Sequence, residues 1–210
     1  MPVKNNREYR AMLSALAPAT EGKLIESEYY VEGYATTVDS PYFMYEFNGY
    51  KAYEVIDRNA FIGADMSDVI MQYDHEGRVY ARTKNGLVLQ VDSKGLRIGA
   101  DLGKTRSARD LHEEIVAGLI TKMSWAFTVD KQSIEYDDVN MTVTRKILAV
   151  KKIYDVSAVS IPANNQTSIS ARTESWSNEA VAEEIGAYLK RRADANKEQM
   201  KLMFEMEAMK

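Results

Sequence analysis

The chain has 210 residues, 45% hydrophobic and 28% charged, which describes one globular domain of ordinary size with a tail to spare. Its 27 Lys and Arg against 31 Asp and Glu leave a net charge of −4, so there is no electrostatic case for a dedicated nucleic-acid or anionic-membrane binder. With no cysteine and only two histidines, His75 and His112, the chain excludes disulfides, thiol nucleophiles, Cys-ligated zinc, iron–sulfur clusters and three-histidine zinc sites.

Residues 1–27 carry a short helical pattern, Tyr9, Met12, Leu13 and Leu16, that ends at Ala17-Pro18. They read as an N-terminal helical arm. The start, Met1-Pro2-Val3-Lys4-Asn5-Asn6, leads into no signal-type apolar run, and no apolar run approaches the ~20 residues that cross a bilayer. A soluble intracellular protein without a membrane partner is the expectation. Residues 28–172 read as one β-barrel domain, strand-rich from about 29 to 161 and polar beyond Pro162, and no proline interrupts 42–161, which suits strands that need every N–H for a ladder. Strands are expected over 29–37, 50–56, 69–73, 78–83, 86–92, 95–100, 123–130, 141–150 and 152–161.

Lys84-Asn85-Gly86 and, more weakly, Ser93-Lys94-Gly95 signal hairpins. One helix is expected over 108–120, with a capping box at Ser107-Ala108-Arg109-Asp110 and Leu111, Ile115 and Leu119 on one face. Residues 173–210 read as a linker and a C-terminal amphipathic helix whose stripe is Val181, Ile185, Leu189, Met200, Met203 and Phe204. That helix is either a solvated tail or an assembly contact using adaptable methionines. The fold class is therefore mainly β (α+β): an antiparallel, partly closed β-barrel with one or more surrounding helices and a C-terminal helical tail.

Three positions invite chemistry. In Met123-Ser124-Trp125-Ala126-Phe127-Thr128-Val129, alternation sends the large residues to one face and Ser124, Ala126 and Thr128 to the other. A row of small side chains leaves room for a substrate beside a nucleophile; it equally suits a helix packed on the sheet. His75 falls at a strand-to-turn junction, and any Ser–His chemistry must use it or His112. The position of His112, early in the helix and followed by Glu113-Glu114, suits a surface ion pair.

Asp155 sits in Ile153-Tyr154-Asp155-Val156-Ser157-Ala158-Val159-Ser160-Ile161, where strict alternation gives it the apolar face of Ile153, Ser157, Val159 and Ile161. A charge there requires a partner, either a cation such as Arg145 or Lys146, or an imidazole. Phosphate-binding glycine loops are absent. No dense Asp/His cluster suggests a metal phosphoesterase, although a carboxylate-bound magnesium or calcium stays open.

Taken in order, several segments resemble the prohead (procapsid) maturation proteases of tailed bacteriophages, a family similar to the herpesvirus assemblin serine peptidases. They are Glu32-Gly33-Tyr34-Ala35, then Glu54-Val55-Ile56-Asp57-Arg58-Asn59-Ala60-Phe61, in which Asn59 stands where the family usually has glycine. Asp74-His75, Gly86-Leu87-Val88-Leu89 and Asp92-Ser93-Lys94-Gly95-Leu96 follow. Next is Ala117-Gly118 leading into Met123-Ser124-Trp125-Ala126-Phe127, and last Asp155-Val156-Ser157-Ala158-Val159-Ser160-Ile161-Pro162-Ala163-Asn164.

The resemblance covers about 28–172. It implies a serine endopeptidase with Ser124 as nucleophile, His75 as general base and Asp155 as third member, with His112 a minor rival for that last place. It implies no cofactor. The expected partners are the major capsid protein and scaffold segments, cut inside the assembling prohead in the host cell cytoplasm, with a homodimer or higher homo-oligomer by analogy to the herpesvirus enzymes. Self-cleavage is expected in Arg172-Thr173-Glu174-Ser175-Trp176-Ser177-Asn178. The alternative is a non-catalytic capsid-assembly module on the same fold.

Overall fold

The computed structural model describes residues 7–12, 16–19, 21–160 and 178–208. In chain order its elements are β1 (Glu8–Met12), β2 (Tyr30–Thr37), β3 (Tyr42–Phe47), β4 (Tyr50–Ile56), β5 (Ile70–Tyr73) and β6 (Glu76–Thr83). Then come β7 (Gly86–Val91), β8 (Gly95–Asp101), α1 (Arg106–Val116), β9 (Lys122–Asp137), β10 (Thr142–Val159) and α2 (Asn178–Ala208).

Ten strands form one sheet with the path β1-β9-β10-β5-β6-β7-β8-β2, and β3 and β4 attach to one end of β10. The sheet curls into a half-barrel. Its seam is spanned by the chain after β1: Leu16 N–H donates to Thr121 O, and Ala17 bridges Glu32 on β2. Most pairings are antiparallel, but β10 runs parallel to both β4 and β5.

β9 and β10 are the spine. Each is long enough to serve two cores. Their inner halves carry Met123, Trp125, Phe127, Ile153, Val156 and Ala158 into the main core with Ile98, Leu96 and Leu111. Their outer halves join Met44, Tyr50, Ala52 and Val143 in a smaller cluster that Ile185 of α2 completes. Burying a side chain such as Phe127 or Ile153 contributes about 1.5–3 kcal/mol.

α1 covers the main core with Ala108, Leu111 and Ile115. Its cap is Thr105, whose hydroxyl accepts from Ala108 N–H, and not the expected Ser107. The helix stops before Leu119, which is exposed, because Gly118 adopts φ +74°, a conformation that ends a helix cheaply only at glycine.

Other expectations need correction. Residues 8–12 form a strand, not a helix, and pair with Phe127–Met123 of β9. β3 was not foreseen, and the two strands expected over 141–161 are one bulged strand. At Lys84-Asn85-Gly86 the chain does turn tightly: Arg82 and Asn85 exchange backbone bonds across Thr83-Lys84, and Lys84 and Gly86 take positive φ, but beyond the turn Gly86 and Leu87 of β7 pair with Arg82 and Thr83 of β6 in parallel sense. The turn at Ser93-Lys94-Gly95 does form a hairpin, with Asp92 Oδ1 accepting from Lys94 and Gly95 N–H. The linker at 172–177, the motif end at 161–164, and Leu13 and Met209 lie outside the described residues.

Candidate active site

A two-residue turn presents His75. β5 and β6 pair through Tyr73 and Glu76, so Asp74 and His75 alone connect them, and both take left-handed conformations, φ 49° and 60°. Two successive positive φ values give the hairpin whose twist matches that of its strands. A non-glycine residue there costs about 1 kcal/mol. Asp74 offsets the cost by tying the turn to the end of β10. Its N–H donates to Ala158 O, and its carboxylate accepts from Ser160 N–H and Ser160 Oγ at 3.1 and 3.0 Å. The imidazole is thereby aimed back over β9 and β10.

β9 alternates as the sequence implies. Trp125 and Phe127 stack on one face, while Ser124, Ala126 and Thr128 lie on the other. β10 does not alternate strictly. A register shift between Ile153 and Asp155 leaves Ile153 opposite Phe127 in the core and sets Asp155 opposite Ala126 on the face of Ser124. The expectation that Asp155 shares a face with Ile153 is wrong for that reason: a bulge adds one residue and reverses which side the next one faces.

Three residues far apart in sequence meet here. Ser124 Oγ lies 2.6 Å from His75 Nε2, and Asp155 Oδ1 lies 2.5 Å from His75 Nδ1. Asp155 is 4% exposed, and a carboxylate so buried needs donors. It has two, the imidazole and Ser157 Oγ at 2.8 Å. With Nδ1–H given to the carboxylate, Nε2 is left as the acceptor facing the Ser124 hydroxyl. The arrangement can take a proton from Ser124 and stabilise the imidazolium that results.

Arg145 and Lys146, the other partners considered for Asp155, are elsewhere. Lys146 approaches Asp57 at 3.4 Å. Arg145 joins a fully buried network with Glu8, Arg10 and Glu54, which ties β1 to β4 and β10. Burial pulls the Arg10 guanidinium down, but Glu54 and Glu8 beside it overcome this and hold it above its ordinary value.

His112 is not part of the cluster. Its ring packs edge-on against Tyr29 on α1's inner side, and burial lowers its pKa. Two further residues escaped the sequence reading. Tyr9 of β1 packs edge-on against the His75 ring at 4.7 Å, and Ser157 holds Asp155. Ser157 stood inside the Asp155-Val156-Ser157 motif, two residues from the carboxylate. Tyr9 gave no usable signal, because its segment read as helix. Among the described residues, no group of three side chains that could hold a metal ion converges.

Comparison with known proteins gives one result. A family model described as caudovirus prohead serine protease matches residues 18–182. No curated protein and no solved structure matches.

Proposed function

The chain belongs to the caudovirus prohead serine proteases, and from that premise we propose that it cuts peptide bonds with Ser124, His75 and Asp155 during capsid maturation. The observation that carries the reading is the continuous link from Ser124 Oγ through both ring nitrogens of His75 to Asp155, at 2.6 and 2.5 Å. Such a link supports acyl transfer. His75 Nε2 takes the hydroxyl proton as Oγ bonds to the scissile carbonyl carbon. It then returns that proton to the leaving amine, whose bond to carbon breaks. Water repeats the sequence to release the acyl group.

Capsid proteins are the substrates that the family implies. Within that class, we propose scaffold segments and an extension of the major capsid protein, cut inside the assembling prohead in the host cell. We also propose cleavage of the chain itself within 172–178, and action as a homodimer or higher homo-oligomer. Sedimentation of the Ser124→Ala chain reads the oligomer, and a single monomeric species would remove that part.

A fluorophosphonate probe tests the reading directly. It should label Ser124 in the full chain, and neither Ser124→Ala nor His75→Ala should react at a comparable rate. Labelling that survives in Ser124→Ala would sink it. Mass spectrometry after long incubation tests self-cleavage: loss of the segment beyond 172–178 in the wild-type chain, and an intact mass in Ser124→Ala.

A further inference from the structure

The face that carries Ser124 continues along β9 to Thr128, about 13 Å away at ~3.3 Å per residue. Thr128 is 9% exposed, and its hydroxyl has no hydrogen-bond partner among the described residues. Lys152 of β10 lies directly across from it. On the other side, Glu8 pairs with Phe127, so Arg7, one residue earlier, falls beside Thr128.

The Arg7 guanidinium carbon lies 3.6 Å from the Tyr154 ring centroid, and its Nε is buried without a hydrogen-bond partner among the described residues. Lys152 Nζ is 5.6 Å from the same ring but is already paired with Asp65 at 2.7 Å. Arg7 has no carboxylate partner among the described residues.

Three buried side-chain polar atoms lack a hydrogen bond among the described residues: Arg7 Nε, Thr128 Oγ1 and Trp125 Nε1. The indole faces the core. The other two stand together on the reactive face, beside an aromatic ring that fixes the guanidinium plane. Buried polar atoms are normally satisfied, and exceptions call for a partner. A guanidinium packed on a ring, with no carboxylate partner among the described residues, suits a substrate carboxylate.

We propose that Arg7, Thr128 and Tyr154 form a recognition subsite for an acidic side chain of the peptide substrate, about four residues from the scissile bond. This rests on the peptidase reading and deepens it. A peptide extended over Ser124 along β9 carries one side chain per ~3.3 Å, so its fourth residue from the cut reaches Thr128. There the substrate carboxylate accepts from Arg7 and from the Thr128 hydroxyl. The N-terminal strand thus contributes to selectivity as well as to the fold.

Digestion of a synthetic peptide library by the full-length wild-type chain, with each cut mapped by mass spectrometry, tests this. Glu or Asp should be enriched at one position three to five residues from the cut. Exchanging it for Gln should lower kcat/KM on the order of tenfold. Arg7→Lys should keep the preference, and Arg7→Glu should reverse it toward Lys or Arg at that same position, an outcome that mere loss of packing against Tyr154 cannot produce. No acidic enrichment in the wild type, or the same enrichment in Arg7→Glu, overturns the subsite. Fluorophosphonate labelling of Ser124 separates the two readings. A chain that labels but lacks the preference loses only the subsite, whereas one that neither labels nor cuts loses both.

Discussion

Ser157 lies directly across from Ser124 in the β9–β10 ladder, yet the two hydroxyls serve opposite ends of one imidazole. Ser124 Oγ meets Nε2, while Ser157 Oγ turns along its own strand and donates to Asp155, which faces Nδ1. Ser157 is fully buried, so its hydroxyl cannot trade this bond for water. A hydrogen bond to a buried carboxylate contributes about 1.5–3 kcal/mol. Ser157→Ala should lower kcat at least tenfold and leave KM and the circular dichroism spectrum unchanged. A kcat equal to that of the wild type would mean that Asp155 is held without it.

The ion network under β1 gives a second expectation. Glu8, Arg10, Glu54 and Arg145 balance one another with no solvent contact to speak of. Arg145→Ala leaves two buried carboxylates with one cation, which should cost about 3–5 kcal/mol. Replacing all four with apolar residues of similar volume should cost far less. Thermal melting compares the two, and equal losses would contradict this account. Because Tyr9 lies between Glu8 and Arg10 and packs on His75, Arg145→Ala should also slow fluorophosphonate labelling of Ser124.

Docking of α2 should depend on pH. Hydrogen bonds from Tyr50 and Tyr188, with Arg192 close by, hold the Asp138 carboxyl below its ordinary value. The bond to Asp138 raises both tyrosines in turn. A carboxyl lowered on folding contributes stability above its ordinary value of 3.8, and the contribution is lost as pH falls through the lower folded value. Tyrosines raised on folding contribute below 10.0, and that is lost as pH climbs through their raised values. Hydrogen exchange over 185–192 should therefore be slowest between about pH 4 and 10 once the intrinsic rate is divided out. A protection profile flat across pH 4 would remove Asp138 from the account.

Gly95 tests the barrel wall. A Cβ built there would stand 2.0 Å from Thr36 O and 2.8 Å from Thr37 Cα, both backbone atoms of β2. Backbone cannot step aside as a flexible side chain can. Gly95→Ala should destabilise the fold by about 1–3 kcal/mol. Gly63→Ala offers a control with open space around its Cβ but a left-handed φ of +82°, so it should lose only the smaller conformational cost. The two melting temperatures decide it; Gly95→Ala melting no lower than Gly63→Ala would show that β2 yields.

Alternation made β9 legible, because its pattern is uninterrupted from Met123 to Val129 and the face of Ser124 follows from it. The face of Asp155 was not legible. Nothing in Ile153-Tyr154-Asp155 marks the bulge, which is fixed by pairing to a strand about 30 residues away. β1 was misread for a sharper reason. Its inward residues, Glu8 and Arg10, are charged, while Tyr9 between them lies on the opposite face against His75. A buried ion network inverts the polarity on which periodicity depends. His75 read as a turn residue, but its left-handed backbone and the clamp by Asp74 belong to contacts with β10 that no local pattern records.

The reactive face joins the chain's beginning to its far interior: Ala11 stands across from Ser124, and Asp155 lies 80 positions beyond His75. A ribosome delivers these pieces one after another, and Asp155 leaves the exit tunnel after both His75 and Ser124. Until then His75 has neither the carboxylate that faces its Nδ1 nor the strand that clamps its turn. On the proposed mechanism a nascent chain in which β10 is still missing lacks the assembled site, so the order of synthesis delays any cutting until β10 has paired with β9.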